Sequence, residues 1–248
     1  MSLRPDLEAP WRSGVRGARA NFLPGIVLQL AALGLVVGYY NVQGIHRTLF
    51  RLLQIREEFG FALSIATTAL FGGILPFLYL RAGNRTLPAE ARYSIGQGIG
   101  MTAFWAYKGF EVDLWYRIQA HVFGSGHSLG TVVIKVFMDQ FVYCPFFAVP
   151  VTTFVYQLIA SRGDWQGVWG DVKVPSWYWR RALPILVSNV GVWVPAVAVI
   201  YCLPTPLQLP LQNFVLCFYM LVVAHQTQET GVRVSEGASS ERPEPRAN

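Results

Sequence analysis

Residues 131–160 read TVVIKVFMDQFVYCPFFAVPVTTFVYQLIA, and Lys135 and Asp139 are the only charged side chains among them. As a helix this stretch would extend about 45 Å at 1.5 Å per residue. A bilayer's hydrocarbon core is roughly 30 Å thick. Its apolar residues form neither the one-sided stripe of a helix on a soluble core nor the alternation of a half-buried strand, so it reads as a membrane-crossing helix. Pro145 and Pro150 lie inside it. Each lacks a backbone N–H and leaves a carbonyl in need of another partner, which predicts a kink.

Similar runs lie on both sides. Downstream come Ala182 to Leu203 and Leu207 to Ala224; upstream come Phe22 to Tyr40 and Phe59 to Leu80. The run Phe22 to Tyr40 is too long for a signal peptide's apolar core and reads as a retained first helix. A weaker segment, Tyr93 to Tyr107, carries Gly96, Gly98 and Gly100, which would let another helix approach closely. It would continue as an amphipathic helix through Gln119. There Lys108 and Glu111 are three apart and Asp113 and Arg117 four apart, so each pair can neutralise itself. Pro24, Pro76, Pro184 and Pro195 add further kinks. The expectation is an all-α, polytopic transmembrane bundle of about six hydrophobic helices over residues 21–225. A polar basic segment (1–20) precedes it and a polar, disordered tail (226–248) follows it.

Composition agrees. Hydrophobic residues make up 53% of the chain and charged residues 14%, against about 25% charged in a soluble domain. A net charge of +6 would raise nucleic-acid binding. No basic stripe or nucleic-acid motif accompanies it, however, and the arginines sit between the apolar runs. Lys and Arg concentrate in the N-terminal segment, the second connector (Arg81 to Arg92), the tryptophan-rich connector (Ser161 to Arg181) and the tail. By the positive-inside rule those segments share the cytoplasmic face or its equivalent. Trp165, Trp169, Trp177 and Trp179 suit the lipid–water boundary. Cys144, Cys202 and Cys217 form no C-x-x-C pair and read as apolar filling.

Chemistry is concentrated at Asp139-Gln140, about nine residues or roughly 13 Å into its run. An ionised carboxylate there costs several kcal/mol unless paired or wet. Two readings stay open: a structural tie, with Lys135 pairing one turn earlier, or the polar lining of a pore or cavity. Gly126-His127-Ser128-Leu129-Gly130 fits the G-x-S-x-G hydrolase elbow, and Ser128, Asp164 or Asp171, and His225 stand in that chain order. The flanks lack the strand-then-helix context an elbow needs, so a loop between spans is the better reading. His46, His121, His127 and His225 have no metal-ligand spacing. No phosphate-cradling or dinucleotide-binding glycine motif occurs.

Three stretches carry a resemblance: Gly109-Phe-Glu-Val-Asp-Leu-Trp115-Tyr116; Met138-Asp139-Gln140 with Pro145 five residues on; and Asn189-Val-Gly-Val-Trp193-Val-Pro195. In order and spacing this is similar to the Mpv-seventeen/peroxisomal-membrane-protein-twenty-two family, over roughly residues 93–224. The departures are specific. The family's Gly-Pro is Gly109-Phe110, its histidine near Trp-Tyr falls at Asp113, and its Trp-Pro is split by Val194. Its later Gln, Asn and Arg fall at Ala198, Tyr201 and Pro210. The chain thus resembles a distant, bacterial-type member. The resemblance implies a bacterial inner-membrane, mitochondrial or peroxisomal location and a weakly selective channel or transporter for small solutes. It implies no catalytic residue, cofactor or metal.

On that reading Asp139, Gln140 and Trp193 are the candidates for a polar path. Asp139 would set cation preference, Gln140 would offer exchangeable hydrogen bonds, and Trp193 beside Pro195 would shape a constriction. Lys135 and Asn189 are candidate helix ties. The partners called for are the lipid bilayer and small solutes or ions, with further copies of the chain as an option and nucleic acid excluded. The rivals are a non-transporting structural or adaptor membrane protein and a membrane-embedded serine hydrolase using Ser128.

Overall fold

A computed structural model describes residues 22–83, 93–126, 128–205 and 207–220, together with Arg12, Val15 and Arg19. The expected disordered tail, the connector around residues 84–92, His127 and His225 lie outside the described residues. Helix α1 spans Phe22–Asn41, and α2, Gln43–Phe59, follows directly. Helix α3 runs Phe61–Thr68, widens into a π-helical stretch at Ala69–Ile74, and finishes as Leu75–Gly83. Helix α4 is continuous over Ile95–Phe123. Helix α5 comprises Leu129–Phe137, a π-helical stretch Met138–Ala148, and Val149–Ala160. Helix α6 is Trp165–Val172. Helix α7 opens with a π-helical stretch Tyr178–Ala182 and continues over Leu183–Ile200. A last helix, α8, covers 207–220. No strand occurs among the described residues.

Three of these helices are long and apolar enough to cross a membrane: Phe61–Ala82, Leu129–Ala160 and Tyr178–Ile200. Their outer faces match that length. Leu129 and Phe146 are 81% and 80% exposed, and Val133, Phe137 and Phe141 also face outward. A row of bare phenylalanines of this size has no place in water but is ordinary against lipid.

Three of the prolines expected to kink helices share one local pattern. In each of the three helices a π-helical stretch closes on the residue just before a proline. Leu75 N–H donates to Leu70 O ahead of Pro76, Val149 to Cys144 O ahead of Pro150, and Leu183 to Tyr178 O ahead of Pro184. A proline ring clashes with the carbonyl four residues back. Inserting one residue into the preceding turn moves that carbonyl away, and the helical ladder continues past the proline.

Close packing is concentrated between α3 and α4. A Cβ on Gly109 would collide with the Ser64 carbonyl, and one on Gly73 would stand 2.7 Å from the Thr102 Cα, so the two backbones nearly touch. Of the three glycines singled out from sequence, Gly98 seats the Phe77 ring and Gly100 admits Ile159, but Gly96 meets only Ser94 Oγ. Ser94 and Gln97 form a capping box that starts α4. On the other side, α1 packs against α7 through Gln29 Nε2, which donates to Val192 O at 2.9 Å, and Tyr40 hydroxyl donates to Cys202 O at 2.8 Å. The main apolar core lies among α1, α4, α7 and α8, from Ala32 and Val36 to Ile200, Leu207 and Val215.

Three segments read as connectors or loop are partly helical. The basic stretch around Arg47, Arg51 and Arg56 is helix α2. It keeps Arg47 and Arg51 outside and turns Arg56 inward, 3% exposed. The tryptophan-rich connector contains α6, capped by Asp164, which accepts from Gly167 N–H at 3.0 Å. The loop from His121 begins only after Phe123, where α4 ends.

Candidate functional site

Helix α4 buries the polar heads of Lys108, Glu111, Asp113, Tyr116 and Gln119 in the bundle, and two polar centres form on it. The first is closed. Asp113, fully buried, accepts from Arg56 of α2, from Ser64 Oγ of α3 at 2.5 Å, and from Arg117 Nε at 3.1 Å. Arg56 also donates to Thr205 O at 2.9 Å. The pairing of Asp113 with Arg117 follows from their spacing. The incoming Arg56, from a segment read as a connector, does not. Close by, Asn213 of α8 bridges Thr67 and Thr68 of α3, both at 2.9 Å.

The second centre is open. A cavity of about 330 Å³ lies between α4, α5, α7 and α8. Asp139, Gln140, Asn189 and Trp193 line it, and the wall also includes Trp105, Lys108, Tyr116, Tyr143, Cys144 and Gln212. Both oxygens of Asp139 are engaged by N–H donors: Trp115 Nε1 at 2.9 Å and Gln140 Nε2 at 2.9 Å. Trp115 is held flat against Tyr143, ring centres 4.7 Å apart. Lys108 pairs with Glu111, as their spacing predicts, and lies 3.3 Å from the Tyr143 hydroxyl, which itself donates to Glu111. Tyr116 donates to Gln212 of α8. Asn189 reaches Cys144 Sγ at 3.9 Å.

One expectation needs correction. Lys135 does not pair with Asp139. It is 2% exposed, points to the Tyr201 ring at 5.9 Å, and is absent from the cavity wall. The π-helical stretch begins at Met138, between the two residues, so four residues no longer bring them over one another. Trp115 of α4 takes the place that Lys135 was expected to fill. Ser128, read as part of a loop between spans, stands where that loop meets α5. It caps α5, accepting from Thr131 N–H at 3.3 Å, while Asp164 caps α6 and Asp171 holds Arg180 and Arg181.

The three stretches that carried the resemblance converge in space. Gly109 sits on Ser64, Trp115 on Asp139, Tyr116 on Gln212, and Trp193 on Tyr219, with ring centres 5.9 Å apart. Pro145 lies in the π-helical stretch, and its carbonyl accepts from the Tyr178 hydroxyl at 3.0 Å. That bond has a local cause. Val149 N–H has moved to Cys144 O, and the next residue, Pro150, has no N–H, so the Pro145 carbonyl has no helical donor. Pro195, in α7, lies outside the cavity wall. What the sequence did not reveal is the contribution of α8 and of Tyr143. Gln212 and Asn213 stand inside an apolar run, which is the signal that could have drawn attention to them.

Against models of known protein families, curated proteins and solved structures, the chain finds no match.

Proposed function

We propose that the chain is a polytopic membrane protein of about six crossings that forms a weakly selective channel or carrier for small solutes. In this reading α1, α4 and α8 cross beside the three longest apolar helices. The membrane is a bacterial inner membrane or an organelle membrane, as the family resemblance suggests. No residue is assigned a catalytic role, and no cofactor is called for.

One observation supports it above the others. Asp139, Gln140, Asn189 and Trp193, chosen from two separate stretches of sequence, all border one cavity of about 330 Å³. Buried polar groups inside a membrane bundle are costly, and they gather where solutes or ions pass. Asp139 would favour cations, and Trp193 would narrow the path.

A second reading has its own observation. Trp115 and Gln140 satisfy both oxygens of Asp139, as a helix tie in a non-transporting adaptor would require. Recording from purified protein in a planar bilayer separates the two. Discrete conductance steps whose ion selectivity changes in Asp139→Asn are expected. Silence at every voltage together with no solute uptake into liposomes, from protein shown to be folded, would overturn the transport reading in favour of the adaptor.

A further inference from the structure

The cavity has a chemical bias that goes beyond a polar path. Gln140 is 2% exposed, and its amide is oriented by donating Nε2 to Asp139. That leaves Gln140 Oε1 buried without a donor. Glu111 Oε2, behind the wall, is likewise without one. Charge leans the same way. Lys108 is the only cation among the described residues of the wall, and it is held by Glu111. Asp139 forms no salt bridge among the described residues; the charge of Lys108 reaches it only at longer range, and Lys135 is turned away from it. The site therefore has an excess of acceptors and a net negative charge. Most of the remaining wall is aromatic or aliphatic, with Trp105, Tyr156, Trp193 and Tyr219 prominent.

A group that fills such a site must supply N–H donors and positive charge at one end and apolar surface at the other. An anion would meet Asp139, a metal ion would find too few oxygen ligands, and a neutral hydrocarbon would leave Gln140 Oε1 unpaired. We infer that the cavity binds a small protonated amine. Its ammonium donates to Gln140 Oε1 and lies beside Asp139, and its apolar body rests against the aromatic wall, where ring faces also attract a cation. A space of this size is at the lower end of small-molecule sites and suits a compact ligand of one ring or a short chain. This inference rests on the transport reading for its role, but its test does not.

Binding is measured on the purified full chain in detergent through its tryptophan fluorescence, since Trp105 and Trp193 border the cavity. The probes are 2-phenylethylammonium, its neutral counterpart 2-phenylethanol and the anion 3-phenylpropionate. The ammonium is expected to bind at least about tenfold more tightly than the alcohol, the gain of one charge-assisted hydrogen bond, and the anion not to bind. Asp139→Asn should remove that preference, and Trp193→Phe should weaken all binding while keeping the order. Equal affinity for ammonium and alcohol, or no binding to the folded wild-type chain, would overturn the inference, and the wild-type series decides even if a variant fails to fold. Selective binding with no conductance keeps the amine site and removes the channel. Conductance with no amine preference does the reverse.

Discussion

The bundle handles two buried carboxylates in opposite ways. Asp113 is surrounded by three helices and meets two guanidinium groups and a hydroxyl. Asp139, about as deeply buried, meets an indole, an amide and a cavity. Around Asp113, α3 and α4 approach through Gly73 and Gly109 until their backbones nearly touch. Around Asp139 stand the two other π-stretched helices, α5 and α7, which with α4 and α8 bound a cavity of about 330 Å³. Glycines let α3 and α4 approach closely. The same cost of burying charge is met by closure in one half and by an open, polar-lined space in the other.

Breaking the closed centre should have the largest effect. Asp113→Asn leaves Arg56, 3% exposed, without its counter-charge, and removing one partner of a buried pair costs about 3–5 kcal/mol. Little folded protein is expected, measured as the monodisperse fraction on size exclusion and by thermal unfolding in detergent. Asp139→Asn removes no cation's partner and keeps the shape. Its loss should stay under about 1.5 kcal/mol, the net worth of an ordinary hydrogen bond. If the two variants lose equal stability, the contrast between closed and open centres fails.

Next in size is packing. Gly109→Ala drives a methyl group into the Ser64 carbonyl, and overpacking of this kind costs about 1–3 kcal/mol. Gly34→Ala, on exposed α1 with open space around it, is the control and should be neutral or gain up to about 1 kcal/mol. A neutral Gly109→Ala would mean that α3 and α4 are less tightly joined than their geometry requires.

A third variant tests the open half. Tyr178→Phe removes the only described donor to the Pro145 carbonyl and leaves an orphaned acceptor, at about 1–3 kcal/mol. The double change Tyr178→Phe with Pro150→Ala restores a backbone N–H near that carbonyl. Recovery of stability in the double variant would tie the tyrosine to the proline; simple addition of two losses would separate them.

Much of this contrast was visible in the sequence and some was not. The apolar runs at 59–80, 131–160 and 182–203 foretold three helices to within a few residues, because a membrane span depends on length and composition alone. The prolines drew attention to the helical ladder, but not to the π-helical stretches that precede Pro76, Pro150 and Pro184, since those depend on how the neighbouring helices receive the displaced carbonyls. Lys135 shows the price of that gap: a spacing rule for a regular helix paired it with Asp139, and the widened turn undid the pairing. The sequence placed Arg56 in a connector because charge hid the apolar positions Leu49, Leu52 and Leu53 around it. Asp139, Gln140 and Trp193 stood out because polar and indole groups inside apolar runs are conspicuous in one dimension. Their donors come from other helices and are not.

The smallest expected effect lies at the surface, where α6 meets α5 and α7. Burial raises Asp171 more than any one partner lowers it, but donation from Arg180 and Gln157 and the charge and donation of Arg181 together outweigh that and hold its carboxyl below the ordinary value. A depressed value in the folded state means that the carboxylate's contribution is fully present above the unfolded value, about 3.9. It is lost as pH falls through the folded value, which lies lower still. Exposed pairs of this kind contribute about 0.2–1 kcal/mol. Asp171→Asn should therefore lower the unfolding temperature slightly at pH 7, and the difference from wild type should shrink as pH falls below about 3.9, with Trp165 and Trp169 reporting on α6. A difference that persists unchanged in acid would show that α6 is docked by Trp177 and Gln157, 2.9 Å apart, and not by the charges around Asp171.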